Sequence, residues 1–146
     1  MVTIEYDADI LWTTELTVGC SALDERNQSM LDQLAQATAI IGTADPVSLA
    51  DWLTGCCEQL DTLLLEEEEE LARAGYPELA FHRRLHDQAR AMTRDLRSQL
   101  QRAPAPAALR LLARAGCDAM ARWLPRHVVD ADRLFFPYVD QRFRGR

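Results

Sequence analysis

Apolar side chains recur along most of this chain in alternating steps of three and four residues, the period of a helix with one buried face. The first stripe is Met30, Leu31, Leu34, Thr38 and Ile41. The second is Leu49, Leu53, Cys56, Leu60, Leu63 and then Leu71. Leu79, Ala89, Thr93, Leu96 and Leu100 form the third, and Leu109, Ala113, Gly116, Met120 and Leu124 the fourth. The breaks between stripes carry helix punctuation. Gly42 stops the first, and Asp45-Pro46 offers an N-cap followed by proline at the first helical position. Gly75 with Pro77 two residues beyond stops the second, and Ala-Pro-Ala-Pro at 103–106 separates the third from the fourth. The pattern predicts helices over about 21–41, 46–74, 77–102 and 107–128, after an extended arm at 1–20 anchored by Tyr6 and Trp12. No segment has the period of a strand and no repeat is evident. Short connections make neighbours antiparallel, so the expectation is an all-α, up-down-up-down four-helix bundle occupying 1–146 as one domain.

Extending the stripes brings in polar residues. Glu67 lies four residues after Leu63 and four before Leu71. His82 and His86 fall between Leu79 and Ala89, His127 follows Leu124 by three, and Asn27 precedes Met30 by three. The start of helix one, the end of two, the start of three and the end of four lie together in an antiparallel bundle. At about 1.5 Å per residue these side chains fit one slab on the order of 10 Å thick. Buried polar groups are unfavourable unless paired or metal-bound, and a bundle core is a place to build a metal site. His82 and His86, four apart, present two imidazoles on one face. His127 adds a third nitrogen and Glu67 a carboxylate. Asp132 follows His127 by five, the wrong step for one helical face, so a wide turn or helix end is expected near 128–131, with Pro125 removing a backbone hydrogen bond just before it. Nitrogen with carboxylate and no thiolate suits iron, with zinc or manganese as alternatives. In the run Glu66 to Glu70 only Glu67 is on the stripe; Glu68 and Glu69 are expected on a solvated face. Asn27, taken alone, reads first as a core polar residue satisfied by backbone.

Bulk properties narrow the partners. The chain has 146 residues, 48% of them apolar, enough for one core. The net charge is −7 and its 16 positive residues are scattered arginines, which argues against nucleic acid. No apolar run approaches the roughly 20 residues needed to span a membrane, and the start of the chain lacks the basic and apolar regions of a secretory signal, so the expected location is the cytoplasm. Cys20, Cys56, Cys57 and Cys117 form no C-x-x-C pair and read as reduced, buried thiols, with Cys56 and Cys117 too far along their helices to serve as ligands.

Three segments together resemble the hemerythrins, in particular the single-domain bacterial ones, over nearly the whole chain. Trp12, Val18-Gly19 and Leu23-Asp24 are similar to the family's leading arm and first helix. Glu66-Glu67, Tyr76-Pro77, His82 and His86 resemble its central motif, and Trp123-Leu124, His127 and Asp132 its last. The resemblance implies two irons bridged by an oxygen atom, with O2 bound reversibly at one of them. It casts His82, His86 and His127 as the ligands of the first iron and Glu67 and Asp132 as bridging carboxylates. The second iron of the family takes one histidine from helix one and one from helix two, where this chain has Asn27 and Leu63. Those are the ligands of the iron that binds O2. Leucine cannot ligate, and asparagine offers only a neutral carbonyl oxygen.

Three functions stay open at this level. The chain could hold one iron firmly and bind or sense O2 or nitric oxide at a degenerate site, with no catalytic residue and the second metal an open question. A two-metal site rebuilt with Glu66, three residues after Leu63, and Asn27 would move it toward the di-iron carboxylate oxidoreductases. A bundle serving as an interaction module is the third. Neither a protein partner nor an oligomeric state is legible.

Overall fold

The computed structural model describes residues 21–103, 105–135 and 137–138. The arm at 1–20, with Tyr6, Trp12 and Cys20, lies outside the described residues, as do 104, 136 and 139–146. Four helices follow one another: α1 Ser21–Ile40, α2 Pro46–Arg73, α3 Leu79–Arg102 and α4 Pro106–Asp130, with a short 3-10 helix at Asp132–Phe135. No strand occurs among the described residues.

The helix ends have identifiable causes. Asp45 caps α2 in an extended conformation, its carboxylate accepting from the Ser48 N–H at 3.0 Å, and Pro46 follows where no N–H is missed. At the other end Gly75 takes φ 70°, the left-handed conformation that suits a residue without Cβ. Tyr76 N then donates to Leu71 O and Gly75 N to Ala72 O, the paired bonds of a Schellman motif. Buried Leu71 and Tyr76 complete it on the apolar side. This stop reverses the chain in a few residues and sets the end of α2 beside the start of α3. Pro77 and Glu78 form a turn, so α3 begins at Leu79, two residues later than the proline suggests. At the opposite end of the bundle the Arg110 guanidinium donates to the carbonyls of Ile41 and Ala44 and closes the α1–α2 turn.

The four stripes meet in one core. Leu34, Leu49, Leu53, Leu60, Leu64, Ala89, Ala113 and Met120 are fully buried. Each large one contributes roughly 1.5–3 kcal/mol relative to exposure. α2 packs against α1, α3 and α4, so it buries two adjacent columns, Cys56/Cys57, Leu63/Leu64 and Glu67/Glu68, instead of one. α3 and α4 approach closely where Gly116 faces Leu96; a Cβ there would lie 2.5 Å from a Leu96 methyl carbon. Cys56, Cys57 and Cys117 are free thiols in this core, and burial pushes them up to about 11, 12 and 12 respectively, so they stay protonated. No helix among the described residues is long and apolar enough to cross a membrane.

Candidate metal centre

The layer at the α2–α3 turn is assembled from four elements. Glu67 comes from the last two turns of α2, His82 and His86 from the first two turns of α3, and His127 from the last turn of α4. Asp132 opens the 3-10 helix. The five-residue step from His127 is made by a break: α4 runs past Pro125 to Asp130, Ala131 N caps His127 O at 2.8 Å, and the chain then tightens. All five side chains are buried, and each offers a ligand atom within 4.8 Å of the others.

The distances describe a converging donor set. His82 Nε2 lies 2.8 Å from Glu67 Oε1 and 3.2 Å from Asp132 Oδ1. His86 Nε2 is 3.1 Å from Glu67 Oε1, and His127 Nε2 is 2.8 Å from Asp132 Oδ1. The Nε2 atoms of His86 and His127 face each other at 3.0 Å. Burial pushes Glu67 up, but the imidazoles of His127, His82 and His86 around it outweigh that and hold its carboxyl well below the ordinary range, His82 at hydrogen-bond distance. Burial and the Glu67 charge push Asp132 up. Burial alone would lower His82 and His127, yet Asp132 and Glu67 raise both, His127 to about 9.

These residues fit a metal ion. Both Asp132 oxygens are buried without an aligned hydrogen-bond donor, close as two imidazoles are. Leaving such a group unmet costs about 1–3 kcal/mol or more when charged. Three inward-facing nitrogens and two carboxylates, with no thiolate, match the preference of iron, zinc or manganese. Aromatic rings wall the cluster. Trp123 stacks on His127 at 4.4 Å and 13°, while Phe135 and Tyr76 meet His82 edge-on at 5.6 and 6.2 Å.

The expectation for Glu68 is corrected. It is buried, not solvated: its Oε1 accepts from His86 Nδ1 at 2.9 Å and from Arg90 at 2.8 Å. Burial pushes its carboxyl up, but the Arg90 and His86 hydrogen bonds carry it below the ordinary range. The signal was present in a second column, Cys57, Leu64, Glu68 and Leu71, again at helical spacing. Glu69 is exposed, as expected.

The opposite side of the layer differs. Asn27 and Leu63 are buried between α1 and α2, and neither belongs to the converging set. Glu66 turns outward to Arg26 at 3.2 Å. A groove of about 550 Å³ runs along this side, with Met30 and Leu63 in its floor and Arg26 and Glu66 on its rim.

Comparison with known proteins agrees with the four-helix architecture. The sequence model of the hemerythrin family, described as the hemerythrin HHE cation binding domain, matches residues 18–139. The chain therefore belongs to the hemerythrin family. A wild-type hemerythrin crystal structure superposes with TM-score 0.72 at 20% identity, covering 86% of this chain and 94% of that one. A leucine-to-tyrosine mutant of hemerythrin gives TM-score 0.72 at 19% identity, with 86% and 93% covered. At such identity these structures establish the four-helix fold. No curated protein matches the sequence.

Proposed function

We propose that this protein holds one iron ion firmly at His82, His86, His127, Glu67 and Asp132, and binds or senses a small diatomic ligand, O2 or nitric oxide. The observation that carries this reading is the convergence of five buried ligand atoms within 4.8 Å. On a six-coordinate ion, five protein donors leave one position free for a ligand. The metal would supply redox-active ligand binding there; the protein's own part is to fix the donors and to surround them with the rings of Trp123, Phe135 and Tyr76.

A second iron held as in the family lacks support on the α1–α2 side. Leu63 has no donor atom, Asn27 offers at best a neutral oxygen, and the Glu66 carboxylate faces Arg26. This favours a single-metal binder over a rebuilt oxidoreductase centre.

Metal analysis of protein purified without chelator tests the reading. About one iron per chain is expected, falling to none with His86→Ala, which removes a nitrogen at the heart of the cluster. Unchanged metal content in that variant overturns the site. Two irons per chain in the wild type overturns the single-metal assignment.

A further inference from the structure

The two ring nitrogens of His86 have different surroundings. Nε2 points into the cluster, 3.1 Å from Glu67 Oε1. Nδ1 points away from it, 2.9 Å from Glu68 Oε1. That same oxygen lies 2.8 Å from the Arg90 guanidinium, which also reaches Asp87 at 3.1 Å. A line of close polar contacts thus runs from the cluster through His86 and Glu68 to a half-exposed arginine on the next turn of α3. An inter-helix ion pair would need only Glu68 and Arg90. Here one carboxylate oxygen serves both Arg90 and the imidazole.

We infer that Glu68 is a positioning residue for His86, and that Arg90 sets how strongly Glu68 polarises that ring. The inference rests on the reading that His86 ligates a metal. A carboxylate accepting from Nδ1–H fixes the proton on that nitrogen and turns the Nε2 lone pair inward. It also makes the imidazole a better donor, and loss of such a partner typically weakens metal binding about 10–100-fold. Arg90 withdraws part of the negative charge, so the ring sees a weaker base than free Glu68 would be. With the pair intact, Glu68 and Arg90 add no net charge beside the metal. Removing either changes that balance, and in opposite directions.

The test is anaerobic Fe(II) titration against a chromophoric chelator, with the reduction potential of the iron-loaded protein measured alongside. Helicity by circular dichroism identifies variants that fold. Glu68→Leu should weaken Fe(II) binding by about 10–100-fold. Glu68→Gln keeps an oxygen facing Nδ1 and should recover most of that affinity. It removes a negative charge, so the potential should rise; Arg90→Leu removes a positive one, so the potential should fall. A purely structural ion pair predicts neither the glutamine rescue nor opposite shifts. Wild-type affinity in Glu68→Leu, glutamine no better than leucine, or potentials moving in the same direction overturns the inference while leaving the metal site standing. Should Glu68→Leu fail to fold, the two opposite potential shifts decide alone. A wild-type protein that takes up no Fe(II) overturns the metal reading and this inference with it.

Discussion

The polar layer has two unequal sides. Where α2 meets α3 and α4, three imidazoles and two carboxylates crowd within 4.8 Å, and a third carboxylate, Glu68, backs one of the rings. Where α2 meets α1, the same level of the bundle holds Asn27, Leu63 and an outward ion pair beside an open groove. The backbone serves both sides alike, and the bundle superposes on hemerythrin at TM-score 0.72. Fold and site therefore separate: the apolar stripes hold the helices in register, while a few side chains decide which donors each side of the layer offers. The five-donor side gathers buried ligand atoms that could hold a cation. The other side offers no such donor set, and Leu63 makes its position apolar.

The largest test of the contrast is to restore what the second side lacks. Asn27→His together with Leu63→His should raise metal content from one to two ions per chain. The groove over Leu63, about 550 Å³, gives the longer, planar ring at that position room. Replacing a buried leucine forfeits roughly 1.5–3 kcal/mol of burial, so the metal-free variant should melt lower and recover on metal addition. If the double variant still takes up one ion, the α1–α2 side has closed around its apolar filling and the two sides differ in shape as well as in ligands.

A smaller effect comes from pH. Without metal, protonated His127 and His82 sit between two carboxylates, which raises both above the usual 6.5, His127 to about 9. A raised histidine contributes stability that is full below its unfolded value of about 6.5. That contribution is lost as pH climbs through about 9. A metal must displace those protons, so its binding strengthens over the same range. Melting curves from pH 6 to 9 should show the metal-free protein losing stability while the gap to the metal-loaded protein widens. Parallel curves would mean that the histidines are not the groups that proton and metal compete for.

Much of the bundle was legible because helices announce themselves twice, by period and by punctuation. Asp45-Pro46 and Gly75 act as their residue types dictate. The inward places of Glu67, His82, His86 and His127 follow from the same period, and the break before Asp132 from a step that no single helical face allows. Glu68 escaped for a physical reason. One stripe per helix describes a helix touching one neighbour, whereas α2 packs against three and buries a second column. A run of five glutamates also reads as solvated by composition, although two of its members face inward. Glu66 shows the opposite case. Its spacing from Leu63 places it near that face, but Arg26 on α1, remote in sequence, draws the carboxylate outward. Pairings between helices are invisible to a pattern read along one of them.

The smallest effect is expected at that ion pair, and it bears most directly on whether the second side is idle. Arg26 and Glu66 have side chains 40% and 44% exposed, 3.2 Å apart. Arg26 Nη1 makes no aligned hydrogen bond, so the contact is one of charge alone. Solvent screening limits such a pair to below about 1 kcal/mol. Glu66→Gln should therefore shift the melting temperature by no more than about 4 °C and leave the metal content unchanged. Salt should reduce even that difference, because both side chains are partly exposed. A drop in bound metal would carry a different message. It would mean that Glu66 leaves Arg26 and turns inward when the ion arrives, since nothing in the pair's own energetics reaches the five-donor cluster. Arg26→Gln separates the cases: it frees Glu66 without removing it, so metal binding would strengthen if Glu66 turns inward and stay constant if the pair is only a surface contact.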